Sequence, residues 1–503
     1  MRYVGYSEYY HDAAIGVIEE DGTVSYALQA ERYTKVKNEP VIPDEMWEGI
    51  VRPDDHISFY EDHDIKFKVR GGARVTGFDC GVTMAPEMRF QVYGNLPIPG
   101  SITAHKYHLH HESHCALAYY TRPWTSKEDT VMVSIDGVGE LQTAVILDHN
   151  FKLIKEINYP KSIGVIYSLI TEFLGLRINE DEYVVMGLSS YGEPTFADWL
   201  INWWNNEPDM PPEVLDGILL ADHRISKTER ERRLFKRQLR KLTLRHSRED
   251  AAASVQKFAE YAILQIMKEA RKYGSKLVYS GGVAQNVVAN SLIKPLFDDM
   301  HVSIAPGDSG SGLGAAAKTW SEQTGGDRLI WTPYLGDNIE GTLDPNEVVD
   351  YLMEHKVCGI ANGRAEFGPR ALGNRSLIAD VRYDIKDTVN TIKQRQKYRP
   401  FAPAILEEHA EQYFDGPMNE YMQYTSKALH DYDAVTHVDG TARVQILKKD
   451  CTSILRKIVE CYYEKTGIPM VLNTSLNIRG RPMVNDKNDA RLFEEQYGVK
   501  VFS

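Results

Sequence analysis

The chain opens on short apolar runs separated by polar breaks. Tyr3–Ser7 reads as a strand, Tyr9–Asp12 as a polar loop and Ala13–Ile18 as a second strand. Glu20-Asp21-Gly22 separates that run from Val24–Ala27, and Asp-Gly between two apolar runs is a strong hairpin signal. The same grammar returns later. Thr130–Ile135 has the pattern of a buried strand, Asp136-Gly137 follows as a tight loop, and Thr143–Leu147 predicts the next strand. Ser247–Asp250 then has the serine and acid of a capping box. Val255, Phe258, Ala262 and Ile266 recur behind it at helical spacing, and Gly274 predicts the stop. A strand at Lys276–Tyr279 leads into Ser280-Gly281-Gly282-Val283-Ala284-Gln285-Asn286, and one at Val302–Ile304 leads into the glycine-rich loop Pro306–Gly314. Strands that end repeatedly in glycine loops predict a duplicated nucleotide-binding fold, because glycine lets backbone N–H groups reach phosphate. Thr324–Pro345 is rich in Gly, Pro, Asp and Asn, which places a boundary there and gives domains at 1–335 and 336–503.

Bulk properties narrow this picture. With 503 residues the chain is long for one hydrophobic core, and 43% hydrophobic with 26% charged residues suits a soluble globular enzyme rather than a disordered chain. Five scattered cysteines without a Cys-x-x-Cys pair predict reduced thiols in a cytoplasmic protein. No segment approaches the roughly 18 apolar residues of a membrane span. The net charge of −13 excludes a uniformly cationic surface but not a local patch. Arg224–Arg248 is such a patch, with 11 Lys or Arg against two acids, and Leu234, Leu239 and Leu242 give it partly helical character. It reads either as a solvated helix face or as a contact for a phosphate backbone.

Candidate chemistry gathers at two places. His110 and His114 stand four apart, so on a helix their imidazoles share one face and can meet one metal ion, with His111 pointing elsewhere. Spacing alone leaves an incidental pair in a histidine-rich segment as an equal reading. Asp136 and Asp308, both in strand-terminal glycine loops, supply the carboxylates a divalent site needs, and such a mixed donor set suits Fe, Mn or Zn better than Cu or Ca. Gly310-x-Gly312-x-x-Ala315 is a weaker, dinucleotide-like pattern, and Asp308 ahead of it would repel a pyrophosphate unless a metal intervened. No Gly-x-x-x-x-Gly-Lys-Ser/Thr is present, which excludes a P-loop. The second place is the C-terminal domain, where Glu366–Arg370, Lys393–Pro403 and Asn473–Arg481 concentrate Arg, Asn and Gly in loops suited to an anionic ligand.

Read together and in order, these segments resemble the carbamoyltransferases of the nodulation-factor and aminoglycoside-tailoring type over nearly the whole chain. The matching stretches are His11–Ala14 with Glu31–Tyr33, His110–Ala118, Asp136-Gly137, Met186–Gly192, Ser280–Asn286, Pro306–Asp308, Glu366–Ser376, Tyr398–Pro403 and Leu472–Asn477. The resemblance implies an α/β protein, a duplicated ASKHA-type domain followed by a smaller YrdC-like domain. It implies that the second domain makes carbamoyl adenylate from carbamoyl phosphate and ATP, held by Arg370, Arg375, Lys393, Arg395 and Arg399 with Asn473 and Ser475. The first domain would then transfer the carbamoyl group. There a divalent metal (Mg with ATP also fits) on His110, His114, Asp136 and Asp308 would bind the adenylate phosphate, Gly137, Gly281, Gly282 and Asn286 would line the nucleotide, and His11 with Asp12 would serve the acceptor hydroxyl.

The acceptor is less well specified. Val185 or Val184 stands where the family usually has Lys, Ser189-Ser190 replaces Ala-Pro, and Asn38 lies near where a His is common. With the basic stretch, the expected acceptor is a 5-hydroxymethylpyrimidine such as 5-hydroxymethylcytosine, in DNA or its nucleotide, in a bacterial or phage-infected cytoplasm. The alternatives are a sugar or antibiotic hydroxyl and, more remotely, tRNA threonylcarbamoylation. A homodimer is the expected assembly, with no membrane partner.

Overall fold

A computed structural model describes residues 1–62, 104–206 and 227–503, with backbone alone over 227–232. The start of the Arg224–Arg248 stretch therefore lies outside the described residues. By contacts the chain divides into two compact units. The first holds residues 1–30, 38–285 and 292–331, and the second holds 31–37, 286–291 and 332–503.

In the first unit the sequence grammar becomes two copies of one sheet. Strand β1 (Arg2–Ser7) is buried along its length and pairs antiparallel with β2 (Ala14–Glu19). The turn to β3 (Val24–Gln29) uses Gly22 at φ +88°, a conformation that favours glycine, and Asp21 accepts the Thr23 N–H at 2.9 Å. Strands β4 (His56–Phe59) and β5 (Lys106–Tyr107) add in parallel on the other side, giving the order β3-β2-β1-β4-β5.

The second copy repeats both order and direction. Strands β6 (Thr130–Ile135), β7 (Gln142–Asp148) and β8 (Leu153–Asn158) form the antiparallel meander, and β9 (Lys276–Ser280) and β10 (Asp299–Val302) add in parallel. The order is β10-β9-β6-β7-β8. This is the duplicated sheet expected of an ASKHA-type domain.

Three local readings change. β10 begins at Asp299, three residues before the run read as a strand. The helix capped by Ser247, whose Oγ accepts from Asp250 N at 3.0 Å, ends at Ala270 rather than at Gly274. Gly274 instead admits the Asp129 carbonyl oxygen, which would stand 2.8 Å from a Cβ there. Finally, Asp308–Gly314 is not a loop but the first turns of the Asp308–Thr324 helix. Glycine weakens an exposed helix, yet this one is buried and uses its missing side chains to pack.

The basic stretch forms a helix at Lys227–Thr243. Phe235 packs on Trp199 and Trp203, with ring centroids 5.4 and 4.4 Å away, and Leu239 is fully buried. Arg233, Arg237, Arg240 and Lys241 are exposed, and recurrence at three and four residues puts them along one face, with exposed Arg245 just beyond the helix end. Among the described residues no helix is long and apolar enough to cross a membrane.

The second unit is a six-stranded mixed sheet with both faces covered. Its order runs 445–447, 402–406, 470–475, 375–379, 357–361, 501–502, antiparallel except at the two edge pairs. Alternation sends Cys358, Ile360, Ile378 and Ala404 to a core shared with the Pro345–His355 and Ile454–Thr466 helices. Leu377, Ala379, Ile405 and Leu472 face a second core with Val389, Phe401 and Phe493.

Candidate active site

Four side chains from three elements of the first unit converge. The helix His110–Tyr120 offers His110 and His114, the end of β6 offers Asp136, and the Asp308–Thr324 helix offers its first residue. One ligand atom of each lies within 4.8 Å of all the others. His114 Nε2 stands 3.2 Å from both Asp136 Oδ2 and Asp308 Oδ1, and His110 Nε2 is 3.9 Å from the same two oxygens. The two Nε2 atoms face each other at 3.1 Å. Two buried imidazole nitrogens aimed at one point between two carboxylates fit a divalent cation. His111 is turned away, bonded through Nδ1 to Ser134 Oγ and through Nε2 to the Gln142 carbonyl.

The electrostatics of the cluster match its geometry. Burial alone would push both imidazoles toward neutrality. The nearby carboxylates of Asp136, Glu61 and Asp308 outweigh it and raise His110 to about 10, while Asp136 and Asp308 raise His114. Burial likewise opposes ionisation of the acids, but the imidazoles hold Asp136 well below the usual carboxylate range and, with His11, lower Asp308.

The glycine loops serve Asp136 first. Gly137 N donates to its Oδ1 at 2.6 Å and Gly282 N to its Oδ2 at 2.7 Å. Gly281 sits at φ +89°, and a Cβ there would overlap the Ile135 carbonyl oxygen. Asn286 falls in the second unit, where its side chain caps the following short helix by accepting from Ala289 N at 3.1 Å. His11 lies beside the cluster, with Nδ1 2.9 Å from Asp12 Oδ2 and Nε2 3.7 Å from Asp308 Oδ2. Burial lowers its pKa, but Asp308, Asp12 and Asp136 outweigh that and raise it to about 9.

The dinucleotide-like glycines have a packing role. A Cβ on Gly314 would overlap the Ser113 carbonyl oxygen of the His110–Tyr120 helix, and one on Gly312 would stand 2.7 Å from the Tyr6 carbonyl carbon. The two helices that carry three of the four candidate ligands therefore touch backbone to backbone. We expect Gly314→Ala to cost roughly 3 kcal/mol or more and to lower metal affinity in whatever protein remains folded. Chemical denaturation and metal titration of the same preparation check both.

In the second unit the predicted basic residues separate into two groups. Arg375 is fully buried and spends its guanidinium N–H groups on the carbonyls of Asp337, Asn362, Gly363, Asn374 and Asn485. It braces the loops and has no N–H left for an anion. Glu366 completes the brace by accepting from the backbone N–H groups of Leu372, Asn374 and Arg375. Lys393 is different. It is also buried, yet its ammonium donates only to neutral oxygens of Ser475 and Asn477. Burial, then Arg395 and Arg399, push its pKa well below the usual lysine value. A cation crowded by two further cations suits an anion. Asn473 Nδ2 donates to the Ala371 carbonyl and to Gln445 Oε1, and Arg370 is half-buried on the Glu366–Arg375 loop. Sequence reasoning named Ser475 but missed Asn477. It also missed Glu61 and Glu140 behind His110, which no motif marks.

The chain matches two family models, described as carbamoyltransferase N-terminus over residues 102–317 and carbamoyltransferase C-terminus over 349–502. It is 31% identical to nodulation protein NolO of Bradyrhizobium diazoefficiens, covering 76% of this chain and 75% of that one. It is 28% identical to nodulation protein NolNO of Sinorhizobium fredii, over 95% of this chain and 76% of that one. An uncharacterized protein of Synechocystis is 28% identical over 97% of this chain and 93% of its own.

Proposed function

Because the chain belongs to the carbamoyltransferase family, we propose that it makes carbamoyl adenylate from carbamoyl phosphate and ATP and passes the carbamoyl group to a hydroxyl. The observation that carries this reading is the convergence of His110, His114, Asp136 and Asp308. A divalent cation on these residues supplies Lewis-acid charge for a phosphate and neutralises two carboxylates. His11 Nε2 would take the proton of the acceptor hydroxyl while Asp12 holds Nδ1–H. The acceptor oxygen then forms a bond to the carbamoyl carbon as the bond from that carbon to the phosphate oxygen breaks, and AMP leaves. Lys393, Arg395 and Arg399 bind the phosphates during adenylate formation in the second unit, with Arg370, Asn473 and Ser475 around them and Arg375 holding the loops. Gly281, Gly282 and Gly137 shape the first unit's nucleotide loop, and Asn286 caps the helix that follows it. The free cysteines at positions 115, 358, 451 and 461 support a cytoplasmic location.

For the acceptor we propose the hydroxymethyl group of a 5-hydroxymethylpyrimidine, such as 5-hydroxymethylcytosine, in DNA or its nucleotide. The exposed basic face of the Lys227–Thr243 helix supports this, since no acid interrupts residues 232–248 of an acidic protein. Incubation with ATP, radiolabelled carbamoyl phosphate and hydroxymethylated DNA, hydroxymethylated nucleotides, sugars and aminoglycosides tests it. Label on DNA or nucleotide is expected. Label only on a sugar or antibiotic replaces the acceptor, and ATP consumption that needs L-threonine points to tRNA threonylcarbamoylation. Charge reversal at Arg237, Arg240 and Lys241 is expected to remove salt-dependent DNA binding. Retained binding would remove the helix from the proposal.

A further inference from the structure

A histidine that binds metal through Nε2 carries its proton on Nδ1, and that N–H needs an acceptor if it is buried. His110 turns Nε2 toward the cluster and Nδ1 away from it. His110 is buried, and its Nδ1 has no hydrogen-bond partner at the distances present. Glu61 Oε2 stands 3.8 Å from that nitrogen, and the Glu61 side chain is completely buried.

The surroundings hold the pair in place. Glu140 Oε1 accepts from the backbone N–H of Asp62 at 3.1 Å and from that of His110 at 2.8 Å. It ties the residue after Glu61 to the first residue of the ligand helix. Gly139 clears the space beside them, since a Cβ there would stand 3.1 Å from His110 Cδ2 and 3.0 Å from His111 Cδ2. The Tyr60 ring lies 5.6 Å from the His110 ring and borders the same space.

We propose that Glu61 is a positioning residue for the metal centre: it accepts the His110 Nδ1–H, fixes the tautomer that presents Nε2, and adds negative charge behind the ligand. Glu140 sets the register between the two. The inference rests on the metal reading given above. It predicts that His110 Nδ1 and Glu61 close from 3.8 Å to a hydrogen bond when the cluster is loaded.

The test is metal affinity of the full chain without substrates, by titration with Mn(II) and by competition for Zn(II) against a chelator, on the parent, Glu61→Gln, Glu61→Ala and His114→Ala. Circular dichroism and thermal melting verify folding. Glu61→Ala is expected to weaken binding up to about 100-fold and Glu61→Gln about tenfold. The visible spectrum of the Co(II)-loaded protein should shift in both. A residue that merely fills space would lower the melting temperature without changing affinity or spectrum. Affinity within twofold of the parent in Glu61→Gln overturns the proposal, and that isosteric variant decides if Glu61→Ala does not fold. If the parent binds no more metal than His114→Ala, the metal reading itself fails, a separate result from equal affinities in parent and Glu61 variants.

Discussion

Replacing Asp308 with alanine is expected to abolish carbamoyl transfer while leaving carbamoyl-phosphate-dependent pyrophosphate release close to the parent rate. The carboxylate is buried at the start of its helix and touches both His114 and His11. Its removal takes away one proposed ligand and one of the carboxylates that the imidazoles face. Lewis-acid stabilisation worth several kcal/mol makes the expected loss of transfer about 1,000-fold or more. Adenylate formation is assigned to the second unit, so pyrophosphate release should survive. Parallel loss of both activities in a folded Asp308→Ala protein would refute the division of labour. Retained transfer would refute the metal centre.

The second large effect is expected at Lys393. Lys393→Met should reduce carbamoyl-phosphate-dependent pyrophosphate release by at least about 100-fold, since a charge-assisted contact to phosphate contributes roughly 3 kcal/mol. The same substitution should erase thermal stabilisation by ATP. In the parent, saturating ATP raises stability by about 2.7 kcal/mol at a hundredfold excess over its dissociation constant. The sign of the pH effect follows from the depressed pKa of Lys393. An anion binds the protonated ammonium, so binding takes up a proton wherever the free lysine has lost it, and affinity falls as pH rises through that lowered pKa. Calorimetry in buffers of different ionisation enthalpy measures the proton taken up. Equal enthalpies in all buffers and unchanged kinetics in Lys393→Met would remove it from the site.

Much of the fold was legible because its signals are local. The Asp-Gly turns, the apolar run Thr130–Ile135 and the Ser247 cap each act over a few residues, and each is found where the pattern put it. The Asp308 segment misled because glycine was read for its freedom. In a buried helix its value is its small size, which depends on a partner, Ser113, from a distant part of the chain. The same holds for charge. Arg375 and Lys393 look alike in sequence, and only the tertiary structure separates a guanidinium wrapped in loop carbonyls from an ammonium crowded by Arg395 and Arg399. Glu61 and Glu140 were invisible because an acid after a strand or turn is ordinary until a buried histidine is found in front of it.

The backbone contact between Gly314 and Ser113 also has a mechanical meaning. Helices usually accommodate motion by sliding over a layer of side chains that can change rotamer. These two have no such layer at their crossing, so the pair should resist shear and move as one body. Breathing of the first unit would then pass around the His110, His114 and Asp308 cluster and leave its spacing unchanged. Amide protons of residues 113–117 and 312–316 should consequently be among the slowest to exchange in the unit.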